Sequence, residues 1–120
     1  MLSQFCSPLN RRAVAGAAGR LARKRGVPIT LLMAGRNNQY AVEDALTASE
    51  IVRALPEARV HGELPSSTAL EADFCASESG RNLIALGYAD DVRYCAQLDR
   101  YKVVPVLMDG QLIPLRREHD

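Results

Sequence analysis

At 120 residues the chain has the length of one ordinary domain, which buries roughly two-thirds of the surface that its unfolded form would expose. Apolar residues make up 48% and charged residues 24% of the sequence, which is the composition of a globular protein rather than of a disordered or membrane protein. The net charge of +1 conceals a division, because the first 42 residues hold seven basic residues and no acid, whereas the others hold eight basic and fourteen acidic residues.

The longest apolar runs, Val27–Ala34 and Val103–Met108, are far shorter than the ~20 residues that cross a bilayer, so we expect no membrane partner. Residues 1–26 have the Arg- and Ala-rich composition of a mitochondrial transit peptide, but we expect them to belong to the mature chain. Three widely separated cysteines and two histidines form no metal-ligand spacing. The sequence therefore predicts a reducing, cytoplasmic location, with neither a metal site nor a cofactor.

The basic N-terminal segment, residues 1–26, is predicted to be a helix packed on an α/β domain that spans residues 27–120. Asn10 is the expected N-cap, and Gly26 occupies the place of the left-handed residue that ends many helices. Two glycines inside the helix weaken it, which predicts that another surface approaches closely. We therefore expect a protein partner or a homodimer, and the candidate interface residues are Arg12, Gly16, Gly19, Arg20 and Arg23.

The middle of the chain alternates between strand and helix patterns. Val27–Ala34 is a continuous run of β-forming apolar residues, which predicts a central strand covered on both faces. A helix is predicted over Tyr40–Leu55, where Pro56 ends it. Arg59–Leu64 is a shorter strand candidate, and the loop after it leads into a predicted helix near Ala69–Ser79.

The C-terminal third has two interpretations. Either Asn82–Leu86 is a third strand followed by a helix over Asp90–Arg100, or this stretch continues the preceding helix. In both cases the apolar runs around Asp109-Gly110 predict a β-hairpin. The predicted fold class is α/β, with a small mixed or mostly parallel sheet, flanking helices and a C-terminal hairpin.

The stretch Val104-Pro105-Val106-Leu107-Met108-Asp109-Gly110 resembles the Val-Pro-Val-Leu-x-Asp-Gly hairpin of thioredoxin-like and glutathione transferase N-terminal domains. The resemblance implies an alternative fold class, a thioredoxin-like α/β fold, with a cis peptide bond before Pro105. Redox members of that superfamily carry a CxxC motif after the first strand. This chain has Gly35-Arg36-Asn37-Asn38 at that place, so the alternative is a fold that lacks CxxC and disulfide exchange.

In a parallel sheet, the loops that follow the strands open at one edge, where ligands of α/β folds bind. The loops 35–38, 65–68 and 87–91 would bring amides, hydroxyls and an arginine near helix N-termini, and these groups suit a phosphate or a carboxylate. Alternatively, Asn38, Thr68 and Asp90 merely cap helices. The candidate ligand-binding residues are Arg36, Asn37, Asn38, Ser66, Ser67, Thr68, Asp90 and Asp91.

The chain has neither a Walker loop nor a GxGxxG pattern to support the ligand site, and no catalytic residue is predicted. His61 is the one interior candidate for a base beside a cysteine, and Cys75 and Cys95 are expected to be buried apolar residues of helices. The neighbouring acids Glu43 and Asp44 point in different directions on a helix and so form no dyad by themselves.

Three hypotheses for the function follow. The first is a non-catalytic binding or interaction module, homodimeric through the basic helix, which the charge division and the missing motifs favour. The alternative is a small enzyme or sensor that binds an anionic metabolite or nucleotide at the three loops. The third is a nucleic-acid-binding accessory protein, because the cations of the first helix could neutralise several phosphates.

Overall fold

The structure is a computed structural model, and it describes residues 2–55 and 59–116. Helices and short strands make up the fold: β1 (Ser3–Gln4), α1 (Arg11–Arg25), α2 (Val42–Arg53), α3 (Leu70–Ala76), α4 (Glu78–Ala85), α5 (Ala89–Cys95), β2 (Pro105–Met108) and β3 (Gln111–Pro114). A 3₁₀ turn over Pro8–Asn10 leads into α1. Within these ranges, no helix combines the length and the apolar character that crossing a membrane requires.

The sheet has the order β1-β2-β3, and both neighbouring pairs are antiparallel. The hairpin predicted around Asp109-Gly110 is confirmed, because Met108 pairs with Gln111 across this turn. A mixed helix and sheet class is also confirmed, but the expectation of a mostly parallel sheet is wrong. That expectation relied on strands in the middle of the chain, whereas the strands that pair lie near the two ends of the described residues.

The three middle segments proposed as strands form none in the described structure. Residues 27–34 and 59–64 belong to no strand or helix, and Asn82–Leu86 falls at the end of α4, where the amide of Leu86 donates to the carbonyl of Asn82 at 3.1 Å. The strand interpretation of Asn82–Leu86 is therefore wrong, and the helical alternative is confirmed. Apolar β-formers alone do not make a strand, since each strand needs a neighbour for its backbone groups.

Helix α1 begins and ends where the sequence predicts. Gly26 adopts the left-handed conformation at φ 63° and donates its amide to the carbonyl of Ala22, which closes the helix. Asn10 stands at the N-terminus, but its side chain makes no capping hydrogen bond. Its amide instead donates to the carbonyl of Val103 at 3.1 Å, so Asn10 fastens the start of α1 to the segment before the hairpin.

The remaining helices are shorter than predicted. Helix α2 confirms the helix expected over Tyr40–Leu55, and Pro56, expected to end it, lies outside the described residues. The helix expected near Ala69–Ser79 is divided at Ser77, whose hydroxyl donates to the carbonyl of Phe74 at 2.8 Å and accepts from the amide of Gly80 at 3.0 Å. This hydroxyl ends α3 and begins α4, because it satisfies groups of both helices.

Two clusters of buried apolar side chains hold the elements together. The first cluster joins α1 to β2 and the residue before it, and consists of Val14, Ala17, Val104 and Val106. The second cluster joins α2 to α3 and α5, and consists of Leu46, Phe74, Val92 and Ala96.

The expectations that followed from the thioredoxin-like resemblance are wrong. Every peptide bond in the described ranges is trans, including the bond before Pro105. Strand β2 pairs with β1 through Val106, so the edge that would face a substrate thiol in that superfamily is occupied by another strand.

Candidate functional site

A tight turn before α2 presents the arginine of the first candidate loop. The amide of Arg36 donates to the carbonyl of Gln39 at 3.0 Å, and the amide of Gln39 donates back at 2.9 Å. Between them, Asn37 and Asn38 have positive φ values of 50° and 60°, the backbone of a type I′ turn. Asparagine tolerates this conformation better than most residues, so the sequence Arg-Asn-Asn-Gln folds locally into this shape.

A carboxylate of α2 anchors the turn to the helix that follows. The Oδ2 atom of Asp44 accepts a hydrogen bond from the amide of Gly35 at 2.7 Å. Because Asp44 lies in the first turn of α2, this bond fixes the position of Arg36 relative to the N-terminus of the helix. Ala41 is the N-cap residue of α2, and since its side chain has no acceptor, no side chain takes the N-cap hydrogen bond.

The guanidinium of Arg36 lies on the first turns of α4. Its Nη1 donates to the hydroxyl of Ser79 at 3.2 Å. With the amide of Asn82 turned so that its oxygen faces the arginine, that oxygen accepts from Nη1 at 3.1 Å and from Nη2 at 3.0 Å. The nearest described carboxylate oxygen belongs to exposed Glu78 and lies 4.0 Å from Nη1. Two neutral side chains thus hold the guanidinium by hydrogen bonds, and exposed Glu78 forms a long ion pair with it.

A pocket of about 210 Å³ lies beside this guanidinium. Its lining comes from the turn, the first residues of α2 and the start of α4, namely Arg36, Asn37, Gln39, Tyr40, Ala41, Val42, Glu43, Glu78 and Ser79. The pocket thus combines one cation, an uncapped helix N-terminus, the half-buried carboxylate of Glu43 and the exposed carboxylate of Glu78. An arginine and free helix amides are groups that bind phosphate oxygens, and a carboxylate can orient or deprotonate water.

The loop 65–68 lies elsewhere, at the contact of α2 with α3. The hydroxyl of Ser67 donates to the carboxylate of Asp73 and accepts from the amide of Ala69 at 3.2 Å. The carbonyl of Pro65 accepts from the hydroxyl of Ser49 on α2 at 2.5 Å. Ser66 and Thr68 are exposed on either side of Ser67.

Asp90 and Asp91 are exposed in the first turn of α5, where Asp90 lies 3.4 Å from Nη1 of Arg93. The structure therefore brings Arg36 and Asn37 to one pocket, but the residues described as lining it include none from 65–68 or 87–91. Their roles in binding remain predictions.

The capping alternative for these loops is wrong. Helices α2, α3 and α5 begin after Ala41, Ala69 and Tyr88, so Asn38, Thr68 and Asp90 are not their caps. A hydrophobic or aromatic residue stands at each N-cap instead, and none of the three provides a capping side-chain oxygen.

Sequence reasoning missed Glu43, Ser79 and Asn82 as members of this site. Glu43 carries a usable signal, because it follows the Arg36 turn and lies in the first turn of the next helix. Ser79 and Asn82 carry none, because their contact with Arg36 depends on how α4 packs beside the turn.

The candidate interface residues lie along α1. Arg12 is 78% exposed, with its Nε 3.4 Å from Asp99. A Cβ added to Gly16 would meet only the flexible end of Arg20 at 3.3 Å, and one added to Gly19 would lie 3.4 Å from the end of Arg23 and 3.6 Å from Leu55. The closest described approach to these glycines thus comes from the chain's own side chains, and a partner interface there remains a prediction.

The cysteines differ from the expected buried positions. Cys75 is half-buried and packs against the second cluster, but Cys95 is exposed. The expectation that Cys95 is buried is therefore wrong, because α5 turns this position toward solvent. His61 lies exposed among the described residues that precede α3.

A protein-family model described as 2-phosphosulpholactate phosphatase matches residues 4–110. The "Probable 2-phosphosulfolactate phosphatase" of Symbiobacterium thermophilum is 31% identical over 113 residues, covering 84% of this chain and 48% of the relative. The protein of the same name in Carboxydothermus hydrogenoformans is 35% identical over 101 residues, covering 75% and 42%. The "2-phosphosulfolactate phosphatase" of Methanothermobacter thermautotrophicus is 36% identical over 103 residues, covering 80% and 45%. The chain spans about half the length of the curated relatives it matches.

These matches overturn the first functional hypothesis. A non-catalytic module of unknown function that only binds proteins is wrong, because the matching family and its named relatives are enzymes. The alternative hypothesis, an enzyme that binds an anionic metabolite, agrees better with them. The chain contains neither a Walker loop nor a GxGxxG pattern, so these motifs could not indicate a phosphate-binding enzyme.

Proposed function

Because the chain belongs to the 2-phosphosulpholactate phosphatase family, we propose that it carries the anion-binding site of a phosphatase acting on a sulfonated phosphate ester. The observation that carries the proposal is the Arg36 guanidinium, which lines the pocket before α2, with Ser79 and Asn82 as its close hydrogen-bond partners and Glu78 at 4.0 Å. The substrate named for the relatives contains a phosphate, a sulfonate and a carboxylate, and these anionic groups favour a site that contains a cation.

The reaction would transfer the phosphoryl group from the ester oxygen to water. The bond between phosphorus and the ester oxygen breaks, and a bond from phosphorus to the water oxygen forms. The water gives up a proton to a carboxylate, and the leaving ester oxygen takes up a proton to become the alcohol. Catalysis of such a transfer depends mainly on positioning the phosphoryl oxygens and stabilising their charge. The planar guanidinium of Arg36 can bind two of these oxygens at once, and the open amides at the start of α2 can bind a third.

Glu43 is the carboxylate that we assign to the attacking water. It lines the pocket from the first turn of α2 and is half-buried. Its neighbour Asp44 accepts from the amide of Gly35 and so holds the turn. A carboxylate that accepts the proton of water contributes typically 10²- to 10⁴-fold to a rate.

Ligand binding tests the role of Arg36 separately from turnover. We expect 2-phosphosulfolactate and inorganic phosphate to raise the melting temperature of the full chain and to bind in calorimetry. Arg36→Ala should weaken binding about tenfold or more, because a charge-assisted hydrogen bond contributes about 1.5–3 kcal/mol. Arg20→Ala, which removes the same charge from the exposed face of α1, is the matched control. Equal affinities in the two variants would contradict the assignment.

Turnover tests the role of Glu43. Phosphate release from 2-phosphosulfolactate should fall in Glu43→Gln through a lower kcat, with KM nearly unchanged, because the amide keeps the size but accepts protons poorly. In Arg36→Lys the change should appear mainly in KM, because lysine keeps the charge but loses the two-pronged contact. A Glu43→Gln variant with the parental kcat would remove Glu43 from the mechanism.

A further inference from the structure

The hydrogen bonds of the Arg36 guanidinium use only part of its donors. An arginine side chain carries five N–H donors, one on Nε and two on each terminal nitrogen. The amide oxygen of Asn82, turned toward the arginine, accepts from Nη1 at 3.1 Å and from Nη2 at 3.0 Å. The hydroxyl of Ser79 accepts from Nη1 at 3.2 Å. Within the described residues, these contacts engage both donors of Nη1 and one donor of Nη2.

The planar shape of the guanidinium identifies the two donors that remain. An acceptor shared by Nη1 and Nη2 takes one hydrogen from each, on the side where these two nitrogens are neighbours. The second hydrogen of Nη1 is then the one directed to Ser79. What remains is the N–H of Nε and the second N–H of Nη2, which lie parallel along one edge of the plane. Such an edge binds two oxygens of one carboxylate, sulfonate or phosphate group.

The carboxylate of Glu78 approaches the guanidinium at a different edge. Its Oε1 lies 4.0 Å from Nη1, beyond hydrogen-bond distance, and Nη1 is also the atom that donates to Ser79. An anion bound by Nε and Nη2 would therefore lie on the other side of the guanidinium from Glu78. This separation reduces the repulsion between a ligand and the exposed carboxylate.

Both ends of the contact are fixed by the surrounding backbone. Ser79 and Asn82 lie three residues apart on α4, so their side chains emerge from the same face of the helix. The start of α4 is held by the hydroxyl of Ser77, which accepts from the amide of Gly80 at 3.0 Å. On the other side, the turn that carries Arg36 is anchored to α2. The orientation of the guanidinium is thus set from two elements.

We propose that Asn82 is a positioning residue, which together with Ser79 turns the Nε–Nη2 edge of Arg36 toward the anionic group of the ligand. The inference rests on the proposed function, because it specifies how the same arginine binds. An amide oxygen suits this role, since it accepts two hydrogen bonds and carries no charge. A carboxylate of the same shape would accept the same two N–H groups and would also compensate the positive charge.

NMR of ¹⁵N-labelled arginine side chains tests which edge binds. Sulfate is the probe, because it is a tetrahedral anion like the phosphate and sulfonate groups of the ester. We expect sulfate to shift the Nε–H signal of Arg36 and to slow its exchange with water, whereas the Nε–H signal of exposed Arg20 stays unchanged. The Arg36→Ala variant identifies the signal, because the signal disappears from its spectrum.

The outcomes separate this inference from the proposed function. Sulfate binding that requires Arg36 but leaves its Nε–H signal unchanged would overturn the positioning and would leave the proposed function standing. Sulfate affinity that is the same in Arg36→Ala as in the unaltered chain, or no binding at all, would overturn both.

Two variants that exchange an amide for a carboxylate test Asn82 itself. Asn82→Asp should weaken sulfate binding about tenfold or more, because the new charge competes with the ligand for Arg36, and should leave the melting temperature undiminished. Gln97→Glu makes the same exchange at an oxygen that accepts from Arg100 at 2.7 Å, outside the pocket lining, and should retain the parental affinity. Parental affinity in Asn82→Asp, or equal losses in the two variants, would overturn the proposal.

Discussion

Position 80 requires glycine because there is no space for a side chain, and not because of its backbone conformation. A Cβ at this position would overlap the carbonyl oxygen of Phe74, where α3 ends against the first turn of α4. We expect Gly80→Ala to lower the free energy of unfolding by about 1–3 kcal/mol, because backbone atoms would have to move. Urea titration measures this loss.

Gly16→Ala provides the comparison for Gly80→Ala. The nearest atom to the new methyl group would be the flexible end of Arg20 at 3.3 Å, and Gly16 lies inside α1. Alanine favours the helix, so this variant should be unchanged or more stable by up to about 1 kcal/mol. If both variants lose the same stability, the close contact of α3 with α4 is not the cause.

Asp99 gives the chain a pH dependence whose sign follows from its contacts. Partial burial acts to raise the pKa of Asp99, but hydrogen bonds from the Arg11 guanidinium and the Arg12 amide outweigh it, so the pKa lies below its usual value. The ionised form is thus favoured in the folded state. This stabilisation is fully present above the unfolded pKa of about 3.9 and disappears as pH falls through the lower folded value.

We therefore expect Asp99→Asn to reduce the acid-dependent loss of stability. Unfolding free energies measured between about pH 6 and pH 2 should fall less steeply in this variant than in the parent. Asp91→Asn, at an exposed position of α5, should retain the parental slope. A slope that is the same in all three proteins would show that Asp99 does not contribute.

At the scale of the elements, the C-terminal hairpin depends on its turn. Asp109 and Gly110 have φ values of 50° and 75°, which only glycine adopts without cost. Gly110→Ala should reduce stability by about 1 kcal/mol through backbone strain alone, because no atom lies within 4 Å of the added methyl group. Asp109→Asn should preserve the hairpin, and thermal melting of both variants tests the difference.

The elements predicted correctly are those with local signals. Gly26 ends α1 and Asp109-Gly110 forms the hairpin turn, and both depend on residues that are adjacent in sequence. The segment 27–34 has the composition of a strand, but strand pairing depends on a distant neighbour that composition does not reveal. The site contains both kinds of feature. The turn around Arg36 is a local structure that its own sequence favours, whereas the contact of Arg36 with Asn82 depends on how α4 packs beside that turn.

At the scale of the whole molecule, one arginine connects the two apolar clusters. Arg11 begins α1, which belongs to the first cluster, and its Nη1 donates to Glu50 of α2 at 2.6 Å. Its Nη2 donates to Asp99, after α5, also at 2.6 Å. The hydrogen bond to Asp99 has the largest effect on the pKa of Arg11, and together with the bond to Glu50 it raises this pKa, although burial acts to lower it. The side chain of Glu50 is only 7% exposed, so its charge depends on this partner.

Removing Arg11 alone should therefore cost more than removing the pair. We expect Arg11→Met to lower the free energy of unfolding by about 3 kcal/mol or more, because Glu50 would remain buried with only Arg53 at 3.4 Å. The double variant Arg11→Met/Glu50→Leu should recover most of this loss, since no charge is left without a partner. Amide exchange at Val106 and Leu46 then shows whether the two clusters still open together. If the single and the double variant lose the same unfolding free energy, the ion pair itself stabilises the contact between the two clusters, and the unpaired buried charge of Glu50 is not the cause of the loss.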